Sequence, residues 1–310
     1  MSIKNVSRVL TIILIIAASC AFGAEIHDAV KEGNFDRVKE LITADASLVN
    51  SGSESGSMPL HIAAGKGNIE IATLLLDNGA QVEAVDGRAF TPVLMACMRN
   101  QKEMVELLAH HGANLRAEHP SFGSAIVLGY WQECINGKSG LTEFMMSQGV
   151  PFDPAATVLG VTMLNLASTF KIIDMAKLVR GLGADVNAGS DGRGRSELSF
   201  ATVCGATDIV ELLIDKGADV NALDSDGSPA LRPAVERGQH QIVKLLLDAG
   251  ATADFVDTAS NETLLHMAAM RGYVGISSEL ISKGVDVNAV DADGNPPIYY
   301  AGKYGHAQLA

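Results

Sequence analysis

One dipeptide, Gly followed by Ala or Val, returns through this 310-residue chain at a nearly constant interval. It stands at Gly79-Ala80, Gly112-Ala113, Gly149-Val150, Gly183-Ala184, Gly217-Ala218, Gly250-Ala251 and Gly284-Val285, so the spacings are 33, 37, 34, 34, 33 and 34 residues. A unit that short cannot bury its own apolar face and must stack on its neighbours, so a period near 33 restricts the fold more than composition does. Stacking gives a continuous core and one long free surface, with no pocket assembled from distant parts of the chain. Binding is the activity such an arrangement predicts.

Within a copy the residue types read as helix, turn, helix, then an extended finger. Thr91-Pro92 and Ser228-Pro229 are helix-start signals, because a hydroxyl can cap free N–H groups and Pro suits the first helical turn. Ala63-Ala64 and Ala268-Ala269 place small side chains where two helices must approach closely. In the second helix, Ile209-Val210-x-Leu212-Leu213, repeated as Ile242-Val243-x-Leu245-Leu246, sets apolar residues at helical spacing on one face. The Gly that follows fits a left-handed helix end, and Asp226-Gly227 and Asp293-Gly294 fit the turn into the next copy.

Met58-Pro59-Leu60-His61-Ile62-Ala63-Ala64, continued by Gly67-Asn68, Ile71, Leu74, Leu75 and Leu76, resembles the ankyrin repeat. That family's Thr-Pro-Leu-His-x-Ala-Ala is matched except for Met58. Thr91-Pro92, Leu264-Leu265-His266-Met267-Ala268-Ala269 and Gly-Ala-Asp-Val-Asn-Ala at 183–188 and 217–222 carry the likeness along the chain. The resemblance implies an all-α ankyrin-repeat solenoid of about nine helix-turn-helix units with β-hairpin fingers over residues 24–310. The units lie near 24–56, 57–90, 91–119, 120–160 (divergent), 161–194, 195–227, 228–260, 261–294 and 295–310 (truncated). It further implies a protein or peptide partner held by finger tips and inner first helices. His61 and His266 take the position whose imidazole ties adjacent units together.

Residues 1–23 are of another kind. Lys4 and Arg8 precede an apolar run from Val9 to Ala18, and Ala21-Phe22-Gly23 offers the small residues a signal peptidase reads, which gives a secretory signal cleaved before Ala24. The run is short for a membrane span, which needs about 20 residues. An uncleaved anchor and a lipoprotein signal acylated at Cys20 stay open as alternatives; Ala17 stands where the latter usually has Leu. The expected location is exported, periplasmic or secreted.

The full chain carries a net charge of −13, and loss of Lys4 and Arg8 leaves 21 basic against 36 acidic residues, or −15. That balance argues against nucleic acid or anionic lipid as partner, since both need a basic stripe. Hydrophobic residues make up 47%, without a low-complexity run, so the whole chain is expected to fold, with its softest stretch at Asn50 to Ser57. Cys97, Cys134 and Cys204 remain after signal removal, an odd number that reads as small core fillers rather than a disulfide framework, although Cys97 and Cys134 lie in adjacent units and are able to pair.

Between Pro120 and Gly160 the pattern fails: the interval lengthens, the single Trp appears as Trp131 beside Tyr130, and Gly137-Lys138-Ser139-Gly140 replaces a short turn. A phosphate loop needs a Gly five residues before Gly137, where Gln132 stands, so that reading is set aside. The expectation is an enlarged loop between the unit's two helices, with Tyr130 and Trp131 either filling the widened core or serving as an exposed anchor. Asp224-Ser225-Asp226-Gly227 and Asp291-Ala292-Asp293-Gly294 resemble the start of a calcium loop but lack its third ligand and its Glu at the twelfth position, so they read as finger turns. No nucleophile, paired-carboxylate or metal-ligand set has a spacing that demands catalysis, and no cofactor or metal is expected.

The position before the Gly that ends each first helix reads Lys66, Arg99, Phe170, Cys204, Arg237, Arg271 and Tyr304. The fingers opposite offer Asp86, Asp191, Asp224, Asp226, Asp291 and Asp293. One reading is solvated helix ends whose cations favour the helix dipole. The other is a groove of mixed charge for a protein or peptide, in which Lys66, Arg99, Phe170, Arg237, Arg271, Tyr304, Asp86, Asp191, Asp226, Asp293 and the loop around Trp131 are the partner-binding candidates. Residues Pro296 to Ala310 start a further unit whose second helix is cut off, which points either to a part of a longer protein or to a ragged end. The function expected is a non-catalytic exported scaffold. The rival readings are the targeting part of a longer enzyme or toxin, and an inhibitor or immunity-type partner of an exported enzyme.

Overall fold

The computed structural model describes residues 24–137, 140–158, 161–187 and 194–309, which fall in two compact units divided between Phe152 and Asp153. Unit one holds four helix pairs. They are α1 (24–32) with α2 (Phe35–Ala44), α3 (Pro59–Lys66) with α4 (Ile69–Asp77), α5 (Pro92–Met98) with α6 (Lys102–His110), and α7 (Ala125–Asn136) with α8 (Leu141–Ser147). A short 3-10 turn, Ala46–Asn50, follows α2. A two-stranded antiparallel finger, β1 (Glu118–His119) and β2 (Gly123–Ser124), pairs Glu118 with Ser124 and His119 with Gly123.

Unit two opens on a second finger, β3 (Thr157–Val158) with β4 (Val161–Thr162). Its pairs are α9 (Met163–Phe170) with α10 (Ile173–Gly181), α11 (Glu197–Cys204) with α12 (Thr207–Asp215), α13 (Leu231–Glu236) with α14 (His240–Asp248), and α15 (Leu264–Arg271) with α16 (Val274–Ser282), after which comes α17 (Pro297–Lys303). Within each unit, first helices pack on first helices (α3 on α5, α5 on α7; α9 on α11, α13 on α15, α15 on α17) and second helices on second (α2 on α4, α4 on α6; α10 on α12, α12 on α14, α14 on α16). That is the all-α stacked-repeat architecture.

The sequence explains each joint. Thr91, Thr162, Ser196 and Thr263 accept the N–H three residues on and so start α5, α9, α11 and α15. Ser228 departs from the expected cap. Its hydroxyl accepts from Arg232 Nη1 at 2.7 Å, Pro229 bridges to Leu223 in the finger, and α13 starts only at Leu231. Ala63, Ala64 and Ala268 are sealed between helices, as their size requires. Ile209, Val210 and Leu213 of α12, and Ile242, Val243, Leu246 and Leu247 of α14, form the buried stripe, each such side chain contributing about 1.5–3 kcal/mol of burial. Gly217 and Gly250 then turn the chain at φ +83° and +91°, a region costly for any residue with a Cβ.

Polar stitches join successive copies. His61 is fully buried. Its Nδ1 accepts from the Met58 N–H at 3.2 Å, so Nε2 carries the proton and donates to the carbonyls of Ala84 and Phe90, both at 3.0 Å. His266 repeats the device toward the Asn295 carbonyl at 3.0 Å. His27, His119 and His306 do the same toward the carbonyls of Ser57, Arg88 and Met270. Finger asparagines add a second row. Asn50 Oδ1 accepts from Gln81 N at 2.8 Å, Asn187 from Asp219 N at 2.9 Å, and Asn221 from Thr252 N at 2.8 Å. The Asn50 to Ser57 stretch is thereby tied to the next finger, to which Ser55 also offers its carbonyl for Gly87 N at 2.9 Å.

Candidate functional site

In unit one, α1, α3 and α5 with the turn around Glu54 enclose a groove of about 1100 Å³. Lys66 is the last residue of α3 and Arg99 follows α5; both are exposed, and both line the groove together with Lys31 and Arg88. Lys31 pairs with Asp28 at 3.0 Å, and Arg88 lies 3.6 Å from Asp86 and over the Phe90 ring. Among the described residues no ion pair engages Lys66 or Arg99, so their charge is free to meet a ligand. Glu54 supplies an acid, and the half-buried Ile62 and Met95 supply apolar wall.

Unit two has a smaller groove, about 510 Å³, at the fingers before α11 and α13. Arg195, Arg232 and Arg237 line it with Asp224, Asp226 and Glu236. Arg232 is held in place: Nε donates to Glu236 at 3.0 Å, Nη2 lies 3.1 Å from Asp257, and the guanidinium covers the Phe255 ring. Burial pushes the Asp224 carboxyl up, against the hydrogen bonds it accepts from Ser199 Oγ at 2.7 Å and Ser196 N at 3.3 Å. Arg237 is exposed and makes no ion pair among the described residues.

The ladder of cations is therefore split. Lys66 and Arg99 share one groove, Arg237 lines another, and Arg271 turns back to donate to the Met267 carbonyl of its own helix at 3.2 Å, the role of a helix-end cation. Phe170 and Tyr304 are exposed, and Lys303 sits over the rings of Tyr299, Tyr300 and Tyr304. The finger acids also divide. Asp86 is buried, contrary to its expected place on an acidic surface: it accepts from Arg88 N and Phe90 N, both at 2.9 Å, and closes the turn from inside. Asp291 does likewise, accepting from Asp293 N, Asn295 N and the Tyr300 hydroxyl, whose pKa is pushed up to about 12 by that carboxylate. Asp226 and Asp293, two residues after an inward Asp, point outward. Asp191 lies outside the described residues, as do Lys4, Arg8, Cys20, Lys138 and Ser139. Arg88 and Arg232 were missed by the sequence reading; the position of Arg88 directly after the Asp86-Gly87 turn was the available signal.

The divergent copy is not an enlarged loop. Its extra residues are helical: α7 runs twelve residues where α5 runs seven, and α8 begins right after Gly140. Tyr130 is fully buried against Phe152, at 5.5 Å between ring centroids, while Trp131 is half-buried and stacks on Phe122 at 6.5 Å. Glu133, buried in α7, spends both carboxylate oxygens on α8: Oε1 accepts from Leu141 N at 2.6 Å, Oε2 from Thr142 N at 3.1 Å and Thr142 Oγ1 at 2.6 Å. A carboxylate from the same unit thus occupies the helix start to which a phosphate would bind.

Cys97 and Cys134 are buried free thiols whose pKa burial pushes up to about 12, and Cys204 is half-buried and free. Among the described residues no group of three His, Cys, Asp or Glu is placed to hold a metal ion, and no helix is long and apolar enough to cross a membrane.

A family model described as ankyrin repeats (3 copies) matches residues 26–119, 164–257 and 231–310, and with the stacked helix pairs above it this chain belongs to the ankyrin-repeat family. Among known proteins it is similar to transient receptor potential cation channel subfamily A member 1 of Homo sapiens, 26% identical over 328 residues that cover 91% of this chain and 29% of that one. It is also similar to E3 ubiquitin-protein ligase XBAT33 of Arabidopsis thaliana, 27% identical over 66% of this chain and 38% of the ligase. B-cell lymphoma 3 protein homolog of Mus musculus is 29% identical over 64% of this chain and 45% of its own length. The chain spans less than half the length of each of these relatives.

Proposed function

We propose that this chain is an exported, non-catalytic scaffold that holds a protein or peptide segment in the groove of unit one. The observation that carries the reading is Lys66 and Arg99, two exposed cations without an ion pair among the described residues, set beside apolar wall and two acids, Glu54 and the Lys31-paired Asp28, in a chain of net charge −13. Unspent cations in an acidic protein draw a segment bearing carboxylates, and the half-buried Ile62 and Met95 give it an apolar contact. Export rests on Lys4, Arg8, the apolar run and Ala21-Phe22-Gly23, with cleavage before Ala24; a lipid anchor at Cys20 is the alternative.

The test is capture of a partner from the extracellular or periplasmic fraction, followed by affinity measurement with Lys66→Glu/Arg99→Glu. Reversal is expected to cost more than the ~1 kcal/mol of ordinary exposed charges. Arg271→Glu, whose residue caps its own helix, serves as the control and keeps the affinity. Wild-type affinity in the double variant, with an unchanged helical spectrum, would remove the groove from the reading. A second reading, the targeting part of a longer enzyme, is favoured by the ubiquitin ligase among the relatives, of which the matched region covers 38%. The full-length gene sequence decides it.

A further inference from the structure

Three successive fingers of unit two hold an apolar side chain out into water at the same place. Leu223, Val256 and Val290 each precede the Asp whose N–H closes the hairpin: Asp224 N donates to the Ser228 carbonyl at 2.9 Å, Asp257 N to that of Glu262 at 2.8 Å and Asp291 N to that of Asn295 at 3.1 Å. Neighbours along an extended strand point to opposite sides, so an Asp turned inward sets the residue before it outward. Asp224 and Asp257 are half-buried and Asp291 is buried, whereas Leu223 is 63% exposed, Val256 40% and Val290 48%. The exposure does not come from a missing neighbour. A further finger follows that of Leu223 and another follows that of Val256, yet both side chains stay uncovered. Bonds between fingers keep the row in line: Asn221 Oδ1 accepts from Thr252 N at 2.8 Å, Asn261 Nδ2 donates to the Val290 carbonyl at 2.8 Å, and Ala292 N donates to that of Ser260 at 3.0 Å. A lone exposed Val or Leu is ordinary, but the same outward position kept apolar in three adjoining copies forms a row.

The same fingers carry charge of one sign. Residues 217–230, 250–263 and 284–296 hold three Asp or Glu each and no Lys or Arg. Asp219, Asp254, Asp286 and Asp293 are exposed and make no ion pair among the described residues, while Arg232, which reaches these fingers from α13, is held by Glu236 and Asp257. We propose that this finger face is a docking site for a basic segment of a partner protein, one whose apolar residues stand a repeat apart between lysines or arginines. Charge complementarity selects the occupant: carboxylates without an ion pair, set around an apolar row, repel an acidic segment and draw a cationic one. The spacing selects its form. Stacked helices lie about 8–10 Å apart, and one turn of an extended polyproline-type chain advances about 9 Å in three residues, so every third residue of such a segment meets the next of Leu223, Val256 and Val290. This face prefers the opposite charge to the groove of Lys66 and Arg99 and stands without that reading.

The probe is a labelled synthetic peptide of four Leu-Lys-Pro units, titrated into the full chain at low salt and followed by fluorescence anisotropy. Saturable binding is expected, with an affinity at least about ten-fold weaker toward Leu223→Ser/Val290→Ser and toward Asp254→Asn/Asp293→Asn, and weaker again toward the wild type when salt is raised. All four residues are exposed, so the variants keep the fold, which an unchanged thermal melt verifies. Lys66→Glu/Arg99→Glu is expected to bind the probe no more weakly than the wild type does, which separates this face from the groove of unit one. Peptides of four Leu-Glu-Pro or four Gly-Lys-Pro units are expected not to bind. Absence of saturable binding, or binding indifferent to either pair of substitutions, overturns the proposal. So does equal binding of the Gly-Lys-Pro peptide, because the acids then attract any cation and the apolar row recognises nothing.

Discussion

Replacing His61 with Leu tests whether the buried histidines hold successive repeats together. The side chain is of similar bulk, so the change isolates the polar contacts. Three groups lose their partner: the Met58 N–H and the carbonyls of Ala84 and Phe90. The Phe90 carbonyl keeps the Asp86 N–H at 2.9 Å, which leaves two groups unmatched. A buried unsatisfied group costs about 1–3 kcal/mol; with Met58 half-buried and its cost at the low end, the sum is about 2–4 kcal/mol. At a urea slope of about 2 kcal/mol per molar, the unfolding midpoint followed by circular dichroism should fall by about 1–2 M. The exposed His111→Leu is the control. The wild type carries a matching pH signature. Burial lowers the His61 pKa below its usual 6.5, so the unfolded chain takes up the proton first. This contribution is complete above about pH 6.5 and is lost as pH falls toward the folded pKa, so His61→Leu should flatten part of the acid slope between pH 7 and 5. A variant that unfolds with the His111→Leu control at both pH values refutes the reasoning.

Glu133→Ala strips the start of α8 of its three acceptor contacts and should cost about 2–3 kcal/mol in a urea titration, with Glu133→Gln recovering part of the loss; equal stability of both variants and wild type would mean water replaces the carboxylate. Ala268→Leu forces three extra heavy atoms into a sealed contact and should cost about 1–3 kcal/mol, read as a lower thermal midpoint. If residues 1–23 are a cleaved signal, N-terminal sequencing of the exported protein returns Ala24; a soluble cytoplasmic product beginning at Met1 or Ser2 rules that out.

The helix pairs were legible because each rests on local rules that repeat. A 33-residue period, hydroxyl caps such as Thr91, paired alanines and the apolar stripe of α14 each act within one copy or between identical neighbours. Copying a local rule multiplies its signal. The divergent copy misled for the same reason: with the pattern lost, extra residues read as loop, whereas Ala125–Asn136 simply continues as helix and Glu133 caps the next one from eight residues away. The charged surface was legible only as composition. Lys66, Arg99, Arg237 and Arg271 look alike in the sequence, yet Arg271 donates to a carbonyl of its own helix while Lys66 and Arg99 have no ion pair among the described residues.

By itself, then, the sequence determined the unit, its period and its buried face, since helix caps, glycine turns and apolar spacing act over a few residues and need no distant partner. The tertiary structure alone decided which of two similar aspartates closes a turn from inside, as Asp86 and Asp291 do, and which faces solvent, as Asp226 and Asp293 do. It also decided which exposed cations share a groove. Those outcomes depend on side-chain direction and on what the neighbouring copy places within a few ångströms, and neither is encoded in spacing along one strand of residues.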